Sequence, residues 1–324
     1  MKTFDEITQI VSSALEQFDL RKEPFGLYEP IAYVLSLGGK RIRPALTLMS
    51  CNLFNDDFSP AIKPALGIEV FHNFTLLHDD IMDRADIRRG RPTVHKKWDD
   101  NTAILSGDVM QISAYQLIAE TPEKYLKPVL DLFSRTAIEI CEGQQYDVEF
   151  ENRKQVDAEE YLEMIRLKTA VLLGCALKTG AIIGGAGEED AQNLYDFGIN
   201  IGLAFQLKDD LLDVYGNELT FGKKIGGDIL CNKKTYLLIH ALQLAKDQIK
   251  NELNYWLTIN NREDNQKIEA VTSIYNQLGV KRICEDKMSF FYESAIANLE
   301  KVSVSDTNKQ ELRNLAEKLM FRED

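Results

Sequence analysis

Two short stretches carry the same unusual grouping of acids: DDIMD at residues 79–83 and DDLLD at residues 209–213. Each closes an apolar run, GIEVFHNFTLLH before the first and GINIGLAFQLK before the second. At 3.6 residues per turn, positions i and i+4 share a helix face, and i+1 and i+3 lie nearby. Each motif therefore turns at least two carboxylates the same way. Carboxylates gathered like this repel one another, so a cation belongs between them. Oxygen-only ligand sets suit Mg2+, which keeps much of its water and takes one or two carboxylates together with substrate phosphates. The candidate metal ligands are Asp79, Asp80, Asp83, Asp209, Asp210 and Asp213. A calcium EF-hand does not fit, because its twelve-residue loop with a central Gly and a final Glu is missing. The plain alternative is a pair of solvated helix ends, and the repetition at two apolar helix ends counts against it.

Bases surround both motifs. GGKRIRP (38–44) offers a glycine turn with Lys40, Arg41 and Arg43; Arg88 and Arg89 follow the first aspartates. Lys168-Thr169 sits inside an apolar stretch, and Lys223, Lys224, Lys233 and Lys234 follow the second motif. Arg grips a diphosphate through two parallel hydrogen bonds and Lys acts as a point charge. Acids that hold metal, metal that holds phosphate and bases for the remaining phosphate charge form one consistent site for a diphosphate.

The elements that must position these groups read as helices. Segments 64–83, 101–120, 125–147, 158–185, 188–215, 233–256 and 265–280 carry apolar residues at three-to-four spacing. Several of the eight prolines (Pro44, Pro60, Pro64, Pro122, Pro128) stand at expected helix edges. No long apolar–polar alternation and no Asn-Gly or Asp-Gly hairpin appears. The polar tract INNREDNQK (259–267) reads as a surface loop, and the C-terminal quarter as charged amphipathic helices. The simplest architecture is one all-α domain over residues 1–324.

A net charge of −13 argues against nucleic acid as a partner. The five cysteines (51, 141, 175, 231 and 284) are odd in number and form no CxxC pair, so they read as small buried core residues in a reducing compartment. No stretch approaches the roughly 20 apolar residues of a membrane span, and the N-terminus has no signal-peptide core. The expectation is a soluble cytoplasmic protein.

From GGKRIRP through NKKTY, about residues 38–237, the chain resembles the trans-isoprenyl diphosphate synthases, the farnesyl and geranylgeranyl diphosphate synthases. The resemblance rests on GGKRIRP, the E-x-x-H of Glu69-Val-Phe-His72, DDIMD with RRGRP, EGQQYD (142–147), Lys168-Thr169, and FQLKDDLLD with GKKIGGD. It implies a single polyprenyl synthetase domain, a helical bundle around a central cavity, and three Mg2+ ions bound with the diphosphate. The six aspartates are the implied metal ligands. Arg88, Lys168, Lys223 and Lys233 match the groups that hold an allylic diphosphate. Lys40, Arg43, His72 and Arg89 match the isopentenyl diphosphate site. Thr169 and Gln206 match groups that place oxygens near a developing carbocation, so that Lys168, Thr169, Gln206 and Arg88 are the implied catalytic groups. Gly143, Gln144 and Asp147 match a motif that lines the cavity. The implied reaction is head-to-tail condensation in a mostly homodimeric enzyme, with the released pyrophosphate taking the proton.

The helix before DDIMD is a candidate ruler for product length. Thr75, Phe74 and Phe71 lie four, five and eight residues before Asp79, on roughly its helix face. A rise of about 1.5 Å per residue puts Phe74 some 7–8 Å and Phe71 about 12 Å below the metal. Gln111 and Tyr115 complete the expected floor. In the resembled family an aromatic five residues before the first Asp accompanies short products, and the expectation is C15–C20. A class I terpene cyclase and a non-catalytic or partner subunit of a heteromeric synthase are the rival readings. The former has no need of GGKRIRP or Arg89, and the latter should lose an aspartate motif. Some members of the resembled family end in a basic tail that helps to close the site; this chain ends KLMFRED, and the expectation is that closure relies instead on the FGKKIGGD loop.

Overall fold

The computed structural model describes residues 2–18, 22–216, 225–259 and 264–321. Lys223 and Lys224 of the expected closing loop, and the terminal residues 322–324, lie outside them. The helices are α1 (Phe4–Glu16), α2 (Phe25–Ser36), α3 (Ile42–Phe54), α4 (Ile62–Met82), α5 (Val94–Lys97), α6 (Asp100–Ala119), α7 (Glu123–Asn152), α8 (Ala158–Ile165), a π-helical turn (Arg166–Ala170), α9 (Val171–Gly184), α10 (Glu188–Tyr215), α11 (Gly227–Leu230), α12 (Tyr236–Leu244), α13 (Asp247–Thr258), α14 (Asp264–Leu278), α15 (Val280–Lys301) and α16 (Asp306–Phe321). The all-α expectation holds. Among the described residues the only strands are two-residue pieces in the RRGRP region, β1 (Ile87–Arg88) and β2 (Arg91–Pro92), paired antiparallel.

Local sequence explains the boundaries. Thr3 and Glu6 form a reciprocal capping box at α1, and Asp157 with Glu160 does the same at α8. Asp99 accepts from Thr102 N at 2.9 Å and starts α6. The expected helix over 233–256 divides. The Thr235 side chain caps α12, which leaves Lys233 and Lys234 in the preceding loop, and extended backbone at Ala245 separates α12 from α13. The expected run over 158–185 is interrupted by the π turn, which carries Lys168 and Thr169.

Contacts gather the chain into two compact units, interleaved along the sequence. The first comprises residues 1–135, 174–195 and 301–312. Here α4 packs along α6 so closely that a Cβ on Gly67 would lie 2.9 Å from the Ala114 carbonyl. Helix α3 is buried along nearly its whole length, and Ser50 donates to the Leu177 carbonyl at 2.6 Å. The second unit comprises residues 136–173, 196–300 and 313–324. Its core joins Tyr161, Leu207, Leu211, Tyr236, Ile274 and Cys284.

Two expectations need correction. The run Ala158–Gly184 is long and apolar enough to span a membrane by length and composition. However, 72% of its most apolar window is buried inside the protein, so its hydrophobicity serves the core. All five cysteines are free, but only Cys51, Cys175 and Cys284 are buried; Cys141 and Cys231 are exposed.

Candidate active site

In the first unit, α4 carries DDIMD at its C-terminal end. Asp79 is half-buried and Asp83 exposed, and Asp83 N donates to the Asp79 carbonyl at 2.8 Å as the helix closes. Asp80 faces inward and is only 5% exposed. Its Oδ1 accepts from Arg88 Nε at 2.7 Å, with Arg88 Nη2 also at 2.7 Å. Burial pushes the Asp80 carboxyl up, and the Arg88 charge opposes this. Arg88 stands on β1, in a segment fastened by Tyr33, whose hydroxyl donates to the Pro92 carbonyl at 2.7 Å, and by Thr93, which donates to the Ala85 carbonyl at 2.7 Å.

The GGKRIRP turn lies in the same unit. Gly38 and Gly39 have φ of +79° and +131°, and a Cβ on Gly39 would come 2.9 Å from Arg89 Nη2. Arg89 Nη1 also donates to the Gly38 carbonyl. The glycine pair is therefore a seat for Arg89. Lys40 is exposed. Arg41 turns inward in a left-handed conformation (φ 48°) and pairs with Glu69 at 2.5 Å. Arg43 Nη1 meets His72 Nε2 at 3.2 Å. A guanidinium can only donate, so Nε2 accepts and the imidazole is neutral. Burial, then the charges of Arg43, Arg89, Arg88 and Arg41, hold His72 well below the usual histidine range. Burial likewise pushes Arg43 down to about 10.

The expected floor residues are also here. Phe71 is fully buried and Phe74 nearly so; their ring centroids are 5.4 Å apart. Phe71 stacks edge-on against Phe133 of α7 at 5.1 Å, and Phe133 against Tyr115 at 5.0 Å. The Thr75 hydroxyl donates to the His72 carbonyl at 2.8 Å, and Gln111 is half-buried on α6. Phe133 has no sequence signal that separates it from other buried aromatics.

The second unit collects the other half of the residues. Asp209 and Asp213 are half-buried, whereas Asp210 is 4% exposed and accepts from the Tyr161 hydroxyl at 2.5 Å. Burial raises the Asp210 carboxyl to about 7 even though this hydrogen bond opposes it. Asp213 Oδ2 accepts from Asp228 N at 3.0 Å, and the Asp213 carbonyl accepts from Gly226 N at 2.6 Å, so the GGD of GKKIGGD folds back onto the third aspartate. Lys168 donates to Asp147 Oδ2 at 2.6 Å. Burial pushes the Asp147 carboxyl up, but the charges of Lys233 and Lys168 prevail and hold it below the usual range. EGQQYD thus supplies a counter-charge for two lysines.

Thr169 Oγ1 reaches Gln206 Oε1 at 3.4 Å. π turns are rare and recur at functional sites; this one is wedged between glycines. A Cβ on Gly143 would lie 2.3 Å from Lys168 N, and one on Gly202 would lie 2.6 Å from the Ala170 Cα. The structure thus brings Arg88 to Asp80, Arg43 to His72 and Arg89 to the Gly38-Gly39 turn in the first unit, and Lys168 to Asp147 and Thr169 to Gln206 in the second. Sequence reasoning missed Tyr161, Asp228 and the charge role of Glu69, each of which holds a motif residue from behind.

The family profile described as "Polyprenyl synthetase" matches residues 25–276. A geranylgeranyl diphosphate synthase of Sulfolobus acidocaldarius is 37% identical over 319 residues, covering 97% of this chain and 96% of the relative. A crystal structure of a geranylgeranyl pyrophosphate synthase superposes with a TM-score of 0.95 at 45% identity, covering all of both chains. Another, from Corynebacterium glutamicum and complexed with isoprenyl diphosphate and magnesium, gives 0.88 at 26% identity over 99% of this chain and 100% of that one. By its match to the family profile and its likeness to these relatives over nearly the whole chain, the protein belongs to the polyprenyl synthetase family, as a short-chain trans-prenyltransferase.

Proposed function

We propose that the chain condenses isopentenyl diphosphate head-to-tail with an allylic diphosphate, in the presence of Mg2+, to a C15–C20 product. The observation that carries this reading is a set of cations held beside acids in each unit: Arg88 on Asp80 of DDIMD in one, and in the other Lys168 on Asp147 of EGQQYD, with the Lys233 charge acting on both Asp147 and Asp210 of DDLLD.

In this reading Arg88, Lys168, Lys223 and Lys233 bind the allylic diphosphate, and Lys40, Arg43, His72 and Arg89 bind isopentenyl diphosphate. Among the described residues no three His, Cys, Asp or Glu side chains form a ready-made cage. That suits Mg2+, which takes few carboxylates and completes its shell with water and phosphate. Asp79 and Asp83 of the first motif and Asp209 and Asp213 of the second would hold it, three ions with the diphosphate; Asp80 and Asp210, also expected as ligands, are buried against Arg88 and Tyr161 and would assist them from behind. When bound, Mg2+ supplies Lewis-acid stabilisation of the departing diphosphate. Arg88 and the lysines add fixed positive charge where negative charge develops. Thr169 and Gln206 turn their oxygens toward the allylic cation. No side chain is assigned as base; the departing diphosphate takes the proton.

The deciding experiment incubates the purified chain with Mg2+, labelled isopentenyl diphosphate and dimethylallyl, geranyl or farnesyl diphosphate in turn, then sizes the dephosphorylated alcohols. C15 or C20 alcohols are expected. Products formed without isopentenyl diphosphate would point to a cyclase, and no product with any primer to a partner subunit. The exposed Ile104, Leu105 and Ile112 of α6 support a homodimer, testable by light scattering; the cytoplasm is the location proposed with it.

A further inference from the structure

We infer that Glu69 is a positioning residue for the isopentenyl diphosphate site, a buried counter-charge that holds the arginines of GGKRIRP and RRGRP in their binding arrangement before substrate arrives. The inference rests on the function proposed above and names a residue to which that function gives no role.

Glu69 lies on α4 and is 2% exposed. One oxygen, Oε1, receives both Arg41 Nη1 at 2.5 Å and Asn73 Nδ2 at 3.0 Å. Arg41 is spent on this pair and on the Leu35 carbonyl, which its Nη2 meets at 2.6 Å. Arg41 therefore fastens the turn and leaves ligand binding to its neighbours. Arg43 and Arg89 also feel the Glu69 charge, which opposes the push of Arg89 on Arg43 and of Arg41 and Arg88 on Arg89. Without a counter-charge, Arg41, Arg43 and Arg89 would repel one another around a neutral His72 that accepts from Arg43. A diphosphate would then have to order the cluster as well as bind to it. Glu69, Asn73 and His72 fall at i, i+4 and i+3 on one face of α4. The helix that delivers DDIMD thus also fixes the neighbouring cations.

The test compares wild type, Glu69→Gln and Glu69→Asp as full chains with Mg2+, with the two Michaelis constants measured separately. Glu69→Gln is expected to raise KM for isopentenyl diphosphate about tenfold, the scale of one lost charge-assisted hydrogen bond, with KM for the allylic substrate changed less than about twofold. Glu69→Asp, which keeps the charge, should recover most of the difference. A role in folding alone would move both constants together or neither, and either result overturns the inference, as does tighter isopentenyl diphosphate binding in Glu69→Gln. If Glu69→Gln does not fold, Asn73→Ala removes the amide that steadies the carboxylate and should give the same selective rise at about threefold; an unselective change overturns the inference. A wild type that elongates no primer sinks the proposed function instead. Calorimetric titration of inorganic pyrophosphate then still reads the arginine cluster: weaker binding to Glu69→Gln is expected, and equal binding overturns the inference.

Discussion

Tyr161 donates its hydroxyl to the buried carboxylate of Asp210 at 2.5 Å, across 49 residues of sequence. The middle aspartate of DDLLD is thereby turned into the core of its unit, which sets the rotation of α10 and hence the direction of Asp209 and Asp213. Asp80 has the same relation to Arg88 in the other unit. Tyr161→Phe removes the donor and keeps the ring. It is expected to cost about 1–3 kcal/mol of stability, the penalty for an unsatisfied buried polar group. The apparent affinity for Mg2+ should also fall. Thermal unfolding and Mg2+ titration of turnover measure the two. A stability loss with unchanged Mg2+ dependence would make Tyr161 a core residue only.

Gly143 admits the π turn. Its missing Cβ would lie 2.3 Å from Lys168 N and 2.7 Å from the Leu167 carbonyl carbon, both backbone atoms that cannot rotate aside. Gly143→Ala is expected to destabilise by about 1–3 kcal/mol, as overpacking does. By displacing Lys168 it should also raise KM for the allylic diphosphate. Gly187→Ala is the control, since nothing lies within 4 Å of the added Cβ. Chemical denaturation and steady-state kinetics on both variants compare them.

His72 carries a pH signature whose sign follows from its surroundings. Burial and four arginines lower its folded value, so below about 6.5 the unfolded chain binds a proton that the folded chain refuses. Stability contributed by His72 is therefore present above that pH and lost as the pH falls through it, until the depressed folded value is reached. Asp80 and Asp210, with raised values, act in the opposite sense, and they are common to wild type and variant. His72→Gln should thus lose less stability than wild type between pH 8 and about pH 6, read as the change in unfolding midpoint. An equal loss in both would mean that His72 protonates normally.

Helix α10 was legible in the sequence because its apolar period runs unbroken from Glu188 to Tyr215. The 233–256 region was not, because three-to-four spacing persists across Thr235 and Ala245, where capping and extended backbone override it. The six aspartates were legible as a repeated motif. What holds them was not: in an apolar period Tyr161 looks like any core aromatic, and Glu69 looks like a helix acid until Arg41 is found against it. Partners far apart in sequence meet only once the fold is built.

The floor under the first aspartates gives the last test. Phe71 is fully buried and braced by Phe133, and Phe74 rests against both Phe71 and His78, with a centroid distance of 4.7 Å to the latter. Phe74, nearer to Asp79 on α4, should meet the growing chain first. Phe74→Ala is expected to shift the product by one C5 unit or more at modest cost in turnover. Phe71→Ala opens the deeper layer and should lengthen the product further only when combined with Phe74→Ala. Deleting the Phe71 ring should also cost about 3–5 kcal/mol, as for other buried phenylalanines. Chromatography of the dephosphorylated alcohols from single and double variants reads the order directly. Longer products from Phe71→Ala alone would place Phe74 off the path of the chain, and unchanged lengths in all variants would make both rings ordinary core.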